Sequence, residues 1–160
     1  MSLLPCCLEA SCPANAQLPD YFHRAVTLDP ENGLVNLSVG LAYVHWALKR
    51  QAENRQYMLT QGLHYLFRYY ELRLRSTVPE ERQEAHFNMA RTYHLLGLQP
   101  LAVKFYEKVL EEGQQRGPER DDSAPPEGLA IEAAYNLRAY HLLSGNQEAA
   151  MRVARKWLKI

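Results

Sequence analysis

The sequence predicts an all-α fold of stacked helical hairpins, and three observations carry that prediction. Apolar residues recur at helical spacing across most of residues 18–160, with no alternating apolar stretch. Glycine or proline stands at most of the junctions between these amphipathic stretches. Finally, one unit returns along the chain. It is clearest in Glu84–Leu110, which reads as two helices hinged at Leu96-Gly97-Leu98. The first helix carries His86, Met89, Ala90 and Tyr93, and the second carries Ala102, Tyr106 and Val109. Ala90 and Ala102 are small enough to let paired helices approach closely, and Tyr93 and Tyr106 fill the space beside them. Gly97 can take the positive φ that ends the first helix.

A large residue followed at i+3, i+4 and i+7, then a small residue and an aromatic in the next helix, is tetratricopeptide spacing. The expected fold class is therefore a tetratricopeptide-like helical-hairpin solenoid, a C-terminal partial array of about three and a half repeats. Its helices are expected near 18–29, 34–50, 53–75, 82–96, 99–112, 129–143 and 147–158.

In chain order, Met1–Gln17 is irregular, with Pro5, Pro13 and the cysteines Cys6, Cys7 and Cys12, and reads as a lead-in to the repeat domain at 18–160. Leu18, Phe22 and Ala25 have the spacing of a second repeat helix, closed by Pro30, which cannot continue it. The pattern thus opens in mid-unit, as expected for the tail of a longer array. Asn36, Val39, Gly40 and Tyr43 repeat the spacing of His86, Met89, Ala90 and Tyr93. The next helix exceeds the ~15 residues usual for one helix of a ~34-residue repeat, and carries Tyr57, Leu59, Leu63, Leu66, Phe67 and Tyr70 at helical spacing. Within it, Gly62 is expected either to kink the helix or to mark a packing contact. Residues 75–82 turn the chain through Pro79. The polar run 111–128, with three prolines and three glycines, is expected to be a solvated loop, in which Ser123 is a candidate contact or modification site. In the last unit Asn136, Gly145, Ala150 and Trp157 each lie 48 residues after Asn88, Gly97, Ala102 and Val109. There Arg138 and His141 replace the expected small and aromatic residues, as befits a terminal repeat.

With 160 residues and 47% hydrophobic content, the chain is long enough to bury a core and is expected to form one domain. Its 18 basic and 18 acidic residues balance. That lacks the basic excess of a general nucleic-acid or membrane-surface binder. No apolar run approaches the ~18 residues of a membrane span, and the start has no basic region before its short, Pro5-interrupted apolar run, so no secretory signal is expected. Three clustered cysteines make no disulfide framework and favour a reducing compartment. None of the six histidines has metal-ligand spacing, and no phosphate loop or nucleophile elbow is present. Carboxylate pairs Glu80-Glu81 and Glu111-Glu112 read as solvated helix ends, and Glu71-Arg73-Arg75 and Lys104-Glu107-Lys108 as surface pairs along one helix. Neither catalysis, nor a metal, nor a cofactor is expected.

Resemblance to tetratricopeptide proteins implies a groove lined by the first helix of each pair. Its candidate residues are Leu37, Leu41 and Val44, then Phe87, Arg91 and His94, then Tyr135, Ala139 and Leu142. The residues expected to pack the repeats together are Gly40, Tyr43, Ala90, Tyr93, Gly97, Ala102, Tyr106, Gly145, Ala150 and Trp157. The chaperone-binding type of this fold grips a terminal carboxylate with lysines and asparagines. Asn88 and Asn136 match part of that clamp, but its lysines are missing. A largely apolar groove favours an apolar helix or a neighbouring subunit.

A closer resemblance rests on three stretches. They are NLSVGLAYVHWALKRQAENRQYMLTQGLHYLFRYYELR (Asn36–Arg73), HFNMARTYHLLGLQPLAVKFYEKVLE, and AAYNLRAYHLLSGNQEAAMRVARKWLKI. Together they resemble the C-terminal repeat region of the tetratricopeptide subunit of TFIIIC, the general transcription factor for RNA polymerase III, in its fungal versions. The likeness covers roughly Leu18–Ile160. It implies a nuclear, non-enzymatic scaffold linking promoter-bound TFIIIC to TFIIIB, with other TFIIIC subunits and TFIIIB subunits as partners. Balanced charge and the lack of a long apolar run add the expectation of no direct nucleic-acid contact and no membrane, and no cofactor is expected. The alternatives are a generic tetratricopeptide adaptor of co-chaperone type and a pentatricopeptide-like RNA binder; balanced charge and an apolar groove oppose the latter. Apolar residues at the two ends of the array, Tyr21, Phe22 and Val26 at one and Val153 and Trp157 at the other, make self-association a further expectation.

Overall fold

A computed structural model describes residues 20–49, 54–114 and 129–158. The lead-in and most of the polar run lie outside the described residues. Among the described residues seven α-helices follow one another: α1 (Asp20–Leu28), α2 (Gly33–Ala47), α3 (Arg55–Leu74), α4 (Pro79–Leu95), α5 (Gln99–Gln114), α6 (Leu129–Leu143) and α7 (Gln147–Val153). A π-helical turn, Ala154–Leu158, completes the described chain. No strand occurs among the described residues, and the fold is of the all-α helical-hairpin solenoid class. The chain divides into two compact units, Met1–Leu66 and Phe67–Ile160, with the division inside α3.

In the first unit, α1 lies against α2. Asn32 caps α2, its side-chain oxygen accepting from the N–H groups of Leu34 (3.0 Å) and Val35 (3.2 Å). Asn36, buried in the first turns, donates its amide to the carbonyls of Pro30 (3.0 Å) and Asn32 (2.8 Å), so no polar group is stranded there. The core gathers Val39, Tyr43, Ala47 and Met58, with Phe22, Val26, Trp46 and Tyr65 packed on it. Tyr43 and Tyr65 stack nearly parallel at 6.0 Å. Helices α2 and α3 touch at two glycines. A methyl on Gly40 would lie 2.6 Å from Leu66 Cγ and 3.0 Å from the Gly62 carbonyl oxygen; one on Gly62 would lie 3.1 Å from the Gly40 carbonyl oxygen. Gly62 is thus a packing contact inside an unbroken helix.

In the second unit, α4 and α5 form the hairpin read at Glu84–Leu110, α6 packs on α5, and α7 with the π-helical turn packs on α6. The two hairpin corners are built alike. At the first, the Leu98 N–H reaches the Tyr93 carbonyl (2.9 Å) and the Gly97 N–H reaches that of His94 (3.0 Å). At the second, Asn146 reaches His141 (2.8 Å) and Gly145 reaches Leu142 (3.1 Å). Both are Schellman closures, and they need the positive φ that Gly97 (76°) and Gly145 (78°) supply. Asn146 then caps α7 by accepting from the Ala149 N–H. Buried Ala133, Ala134, Ala149, Ala150 and Ala154 keep α6 and the segment after it close together.

Three local expectations are corrected. Helix α4 starts at Pro79 instead of 82, because proline at the first helical position has its φ already set and no N–H to lose, while Glu80 and Glu81 favour the positive helix end. Helix α5 continues to Gln114, four residues into the run read as loop. The last predicted helix is α only to Val153; Ala154–Leu158 widens into a π turn that carries Trp157, half-buried with Lys156 Nζ 5.1 Å above its ring.

Candidate interaction groove

The groove residues Phe87 and His94 of α4 rest on one side chain expected only to pack the repeats, Tyr106 of α5. It is almost wholly buried. Phe87 meets its ring edge-on at 6.1 Å, and His94 does so at 6.2 Å with Nδ1 3.4 Å from the hydroxyl. Asn136 of α6 also hydrogen-bonds that hydroxyl. Burial pushes the Tyr106 hydroxyl pKa up, and Arg91 and Asn136 pull it partly back. Tyr106 therefore ties the exposed face of α4 to that of α6.

Above this floor the stripe splits by chemistry. On α4, Phe87 is buried beneath Arg91, whose guanidinium carbon lies 5.9 Å over the ring; Arg91 is exposed and His94 half-buried. On α6, Tyr135 is 54% exposed, Leu142 46% exposed, and Ala139 lies open between them. Ile131, one turn before Tyr135, is also exposed and extends the apolar row. The residue was not singled out from sequence, although its i−4 spacing from Tyr135 was available. In the first unit Leu37 and Leu41 are half-buried, whereas Val44 is wholly buried, 3.0 Å from where a methyl on Gly62 would sit. The closeness of α2 and α3 draws Val44 inward, so it packs the helices and cannot line an open surface.

The residues expected to pack the repeats lie as follows. Gly40, Tyr43, Ala90, Tyr93, Ala102, Tyr106 and Ala150 are buried, Gly97 and Gly145 form the two corners, and Trp157 is half-buried.

Two polar seams join α4 to residues of α3 and α5, and neither was legible in the sequence. Arg82 Nε and Nη2 donate to the two Glu112 carboxylate oxygens, each at 3.2 Å. His86 Nε2 lies 3.9 Å from the same carboxylate, and His86 Nδ1 lies 3.1 Å from the Tyr70 hydroxyl. Burial lowers the His86 pKa, and nearby Lys108 and Arg82 lower it further against the pull of Glu112. With His86 neutral, Nδ1 can accept from the Tyr70 hydroxyl. Beside it, buried Gln83 donates to the Val109 carbonyl at 3.1 Å. In the second seam Asn88 donates to the Tyr69 hydroxyl (2.9 Å), which donates to Glu84 (3.3 Å); burial raises the Tyr69 pKa to about 12.

These seams correct the surface readings of charge. Glu112 is held by Arg82 across the hairpin, and Arg73 pairs with Glu81 of α4 at 2.9 Å instead of with Glu71. Partners 30 residues apart leave no periodic signal; only the closing of the hairpin brings them together. Both asparagines of the partial carboxylate clamp are likewise turned to internal hydroxyls, Asn88 to Tyr69 and Asn136 to Tyr106. Among the described residues, no group of three or more histidine, cysteine or carboxylate side chains could hold a metal ion, and no helix is long and apolar enough to cross a membrane.

No protein-family model matches the chain. Individual proteins do. Transcription factor tau subunit sfc4 of Schizosaccharomyces pombe is 38% identical over 144 residues, covering 87% of this chain and 14% of its own length. The tau 131 kDa subunit of Saccharomyces cerevisiae is 36% identical over 131 residues, 82% of this chain and 12% of its own. The chain is homologous to a TFIIIC subunit. General transcription factor 3C polypeptide 3 of Homo sapiens is 30% identical over 133 residues, or 77% of this TFIIIC-subunit homologue and 13% of the human protein. The homologue thus spans a small part of the length of the curated relatives it matches. Since each match covers more than three quarters of the chain, the likeness extends beyond any single repeat unit.

Proposed function

We propose that this TFIIIC-subunit homologue is a nuclear, non-enzymatic interaction scaffold. It assembles with other TFIIIC subunits and helps link promoter-bound TFIIIC to TFIIIB in RNA polymerase III transcription. The observation that carries the reading is the likeness to transcription factor tau and 3C subunits over most of the chain. An open apolar row on α6 beside the Phe87–Arg91 pair supports it, because such surfaces suit burial against another protein. We assign Leu37, Leu41, Phe87, Arg91, His94, Tyr135, Ala139 and Leu142 to partner contact and the buried alanines, glycines and tyrosines to repeat packing, within one repeat region at 18–160. The adaptor reading with a carboxylate clamp has less support, since Asn88 and Asn136 are engaged internally. Co-expression of the chain with the remaining TFIIIC subunits, followed by affinity purification, tests the proposal. Co-purification that weakens in a Tyr135→Asp, Leu142→Asp double variant is the expected result. Failure of every TFIIIC subunit to associate would remove this function.

A further inference from the structure

We propose that the α4–α6 face of the second unit takes an acidic amphipathic helix of a partner protein, a reading that rests on the scaffold function above. The face offers two chemistries side by side. Tyr135, Ala139 and Leu142, with Ile131 above them, form an exposed apolar row that can receive the anchors of one helix face. On α4, Arg91 stands exposed over Phe87 and makes no ion pair among the described residues. His94 turns Nδ1 inward to Tyr106, which leaves Nε2 as the ring's outward polar atom. None of the groove residues from Phe87 to His94 on α4, or from Tyr135 to Leu142 on α6, is acidic; the exposed Glu132 stands beside Ile131 in the first turn of α6, before that stretch. The face therefore carries positive charge in a chain whose overall charge is zero. Tyr106 beneath it, bonded to Asn136 and met edge-on by Phe87 and His94, holds the cationic and apolar halves in one register. A helix with apolar residues on one side and carboxylates along the flank would bury the α6 row and set a carboxylate against Arg91. A basic or neutral helix would leave that guanidinium without an ionic partner.

The test is fluorescence anisotropy of the full 160-residue chain with three labelled synthetic helical peptides. One has leucine at i, i+3, i+4 and i+7 with glutamate on the flank; the second has glutamine for glutamate; the third has lysine. The glutamate peptide should bind about threefold to fivefold more tightly than the glutamine peptide, the range of an exposed ion pair. The advantage should shrink with salt. Arg91→Glu should reverse the preference toward the lysine peptide, and Arg91→Gln should abolish it, with circular dichroism confirming an unchanged helix content. Equal binding of the three peptides, lost in Leu142→Asp, would overturn the acidic partner while leaving an apolar groove in place. Binding of none would overturn the proposal, and the scaffold reading would still be judged by co-purification of TFIIIC subunits. A concentration-dependent dimer in sedimentation, abolished by Leu142→Asp, would overturn it in favour of a second copy of the chain.

Discussion

Replacing Gly40 with alanine opposes two effects of known sign. In an exposed helix interior the change should stabilise by about 1 kcal/mol, because alanine is the better helix former. At Gly40 the added methyl meets Leu66 Cγ at 2.6 Å and the Gly62 carbonyl oxygen at 3.0 Å. Leu66 is wholly buried, so its branch point has nowhere to move, and the carbonyl belongs to the backbone of α3. Overpacking of this kind costs about 1–3 kcal/mol. With the clash this short the upper part of that range applies, leaving a net destabilisation of about 1–2 kcal/mol after the propensity gain. For a chain of this length that corresponds to a fall of roughly 2–8 °C in Tm. Thermal and urea melts followed at 222 nm would measure it. Gly97→Ala is an informative companion, since an added methyl there meets nothing within 4 Å and the cost comes from φ of 76° alone, about 1 kcal/mol. A Gly40→Ala variant more stable than the parent would refute the close crossing of α2 and α3, because only propensity would then be acting.

Ala90→Trp and Ala102→Trp should each cost about 1–3 kcal/mol or more, since both sites are buried; an unchanged urea midpoint would contradict the packing described for α4 and α5. Glu112→Gln should lower the melting midpoint while Glu111→Gln leaves it in place, because only Glu112 closes on Arg82; equal effects would mean that the ion pair contributes nothing. Burial lowers the His86 pKa from its ordinary 6.5, so folding disfavours its protonated form. Its contribution is therefore intact above pH 6.5, is lost as pH falls below that value, and levels off once the folded-state histidine is protonated. Stability profiles of the parent and His86→Gln between pH 5 and 8 should differ in slope only below about 6.5, and parallel profiles would reject the assignment.

The sequence by itself determined the helices and their corners, for a local reason. Helical spacing of apolar residues, the asparagine caps at 32 and 146, and glycines at 97 and 145 act within a few residues of themselves. The 48-residue offset between Gly97 and Gly145 reappears as two matching backbone closures, because each needs only one glycine, the four residues before it and the one after. Where a local cue was misread, as with Pro79 at the start of α4, the residue itself was still the signal. The resemblance to the TFIIIC subunit was also legible, since wording over many repeats carries more than any one repeat spacing. Tertiary structure alone decided which of the residues on a helix face stay open. Val44 and Leu41 lie on one helix, yet two glycines pull α3 close enough to bury the first and leave the second half-covered. Folding alone also decided that Glu112 answers Arg82, that Arg73 answers Glu81, and that Asn88 and Asn136 serve buried tyrosines. A charge or an amide has no periodicity by which to announce its partner, and that partner exists only once two helices have packed.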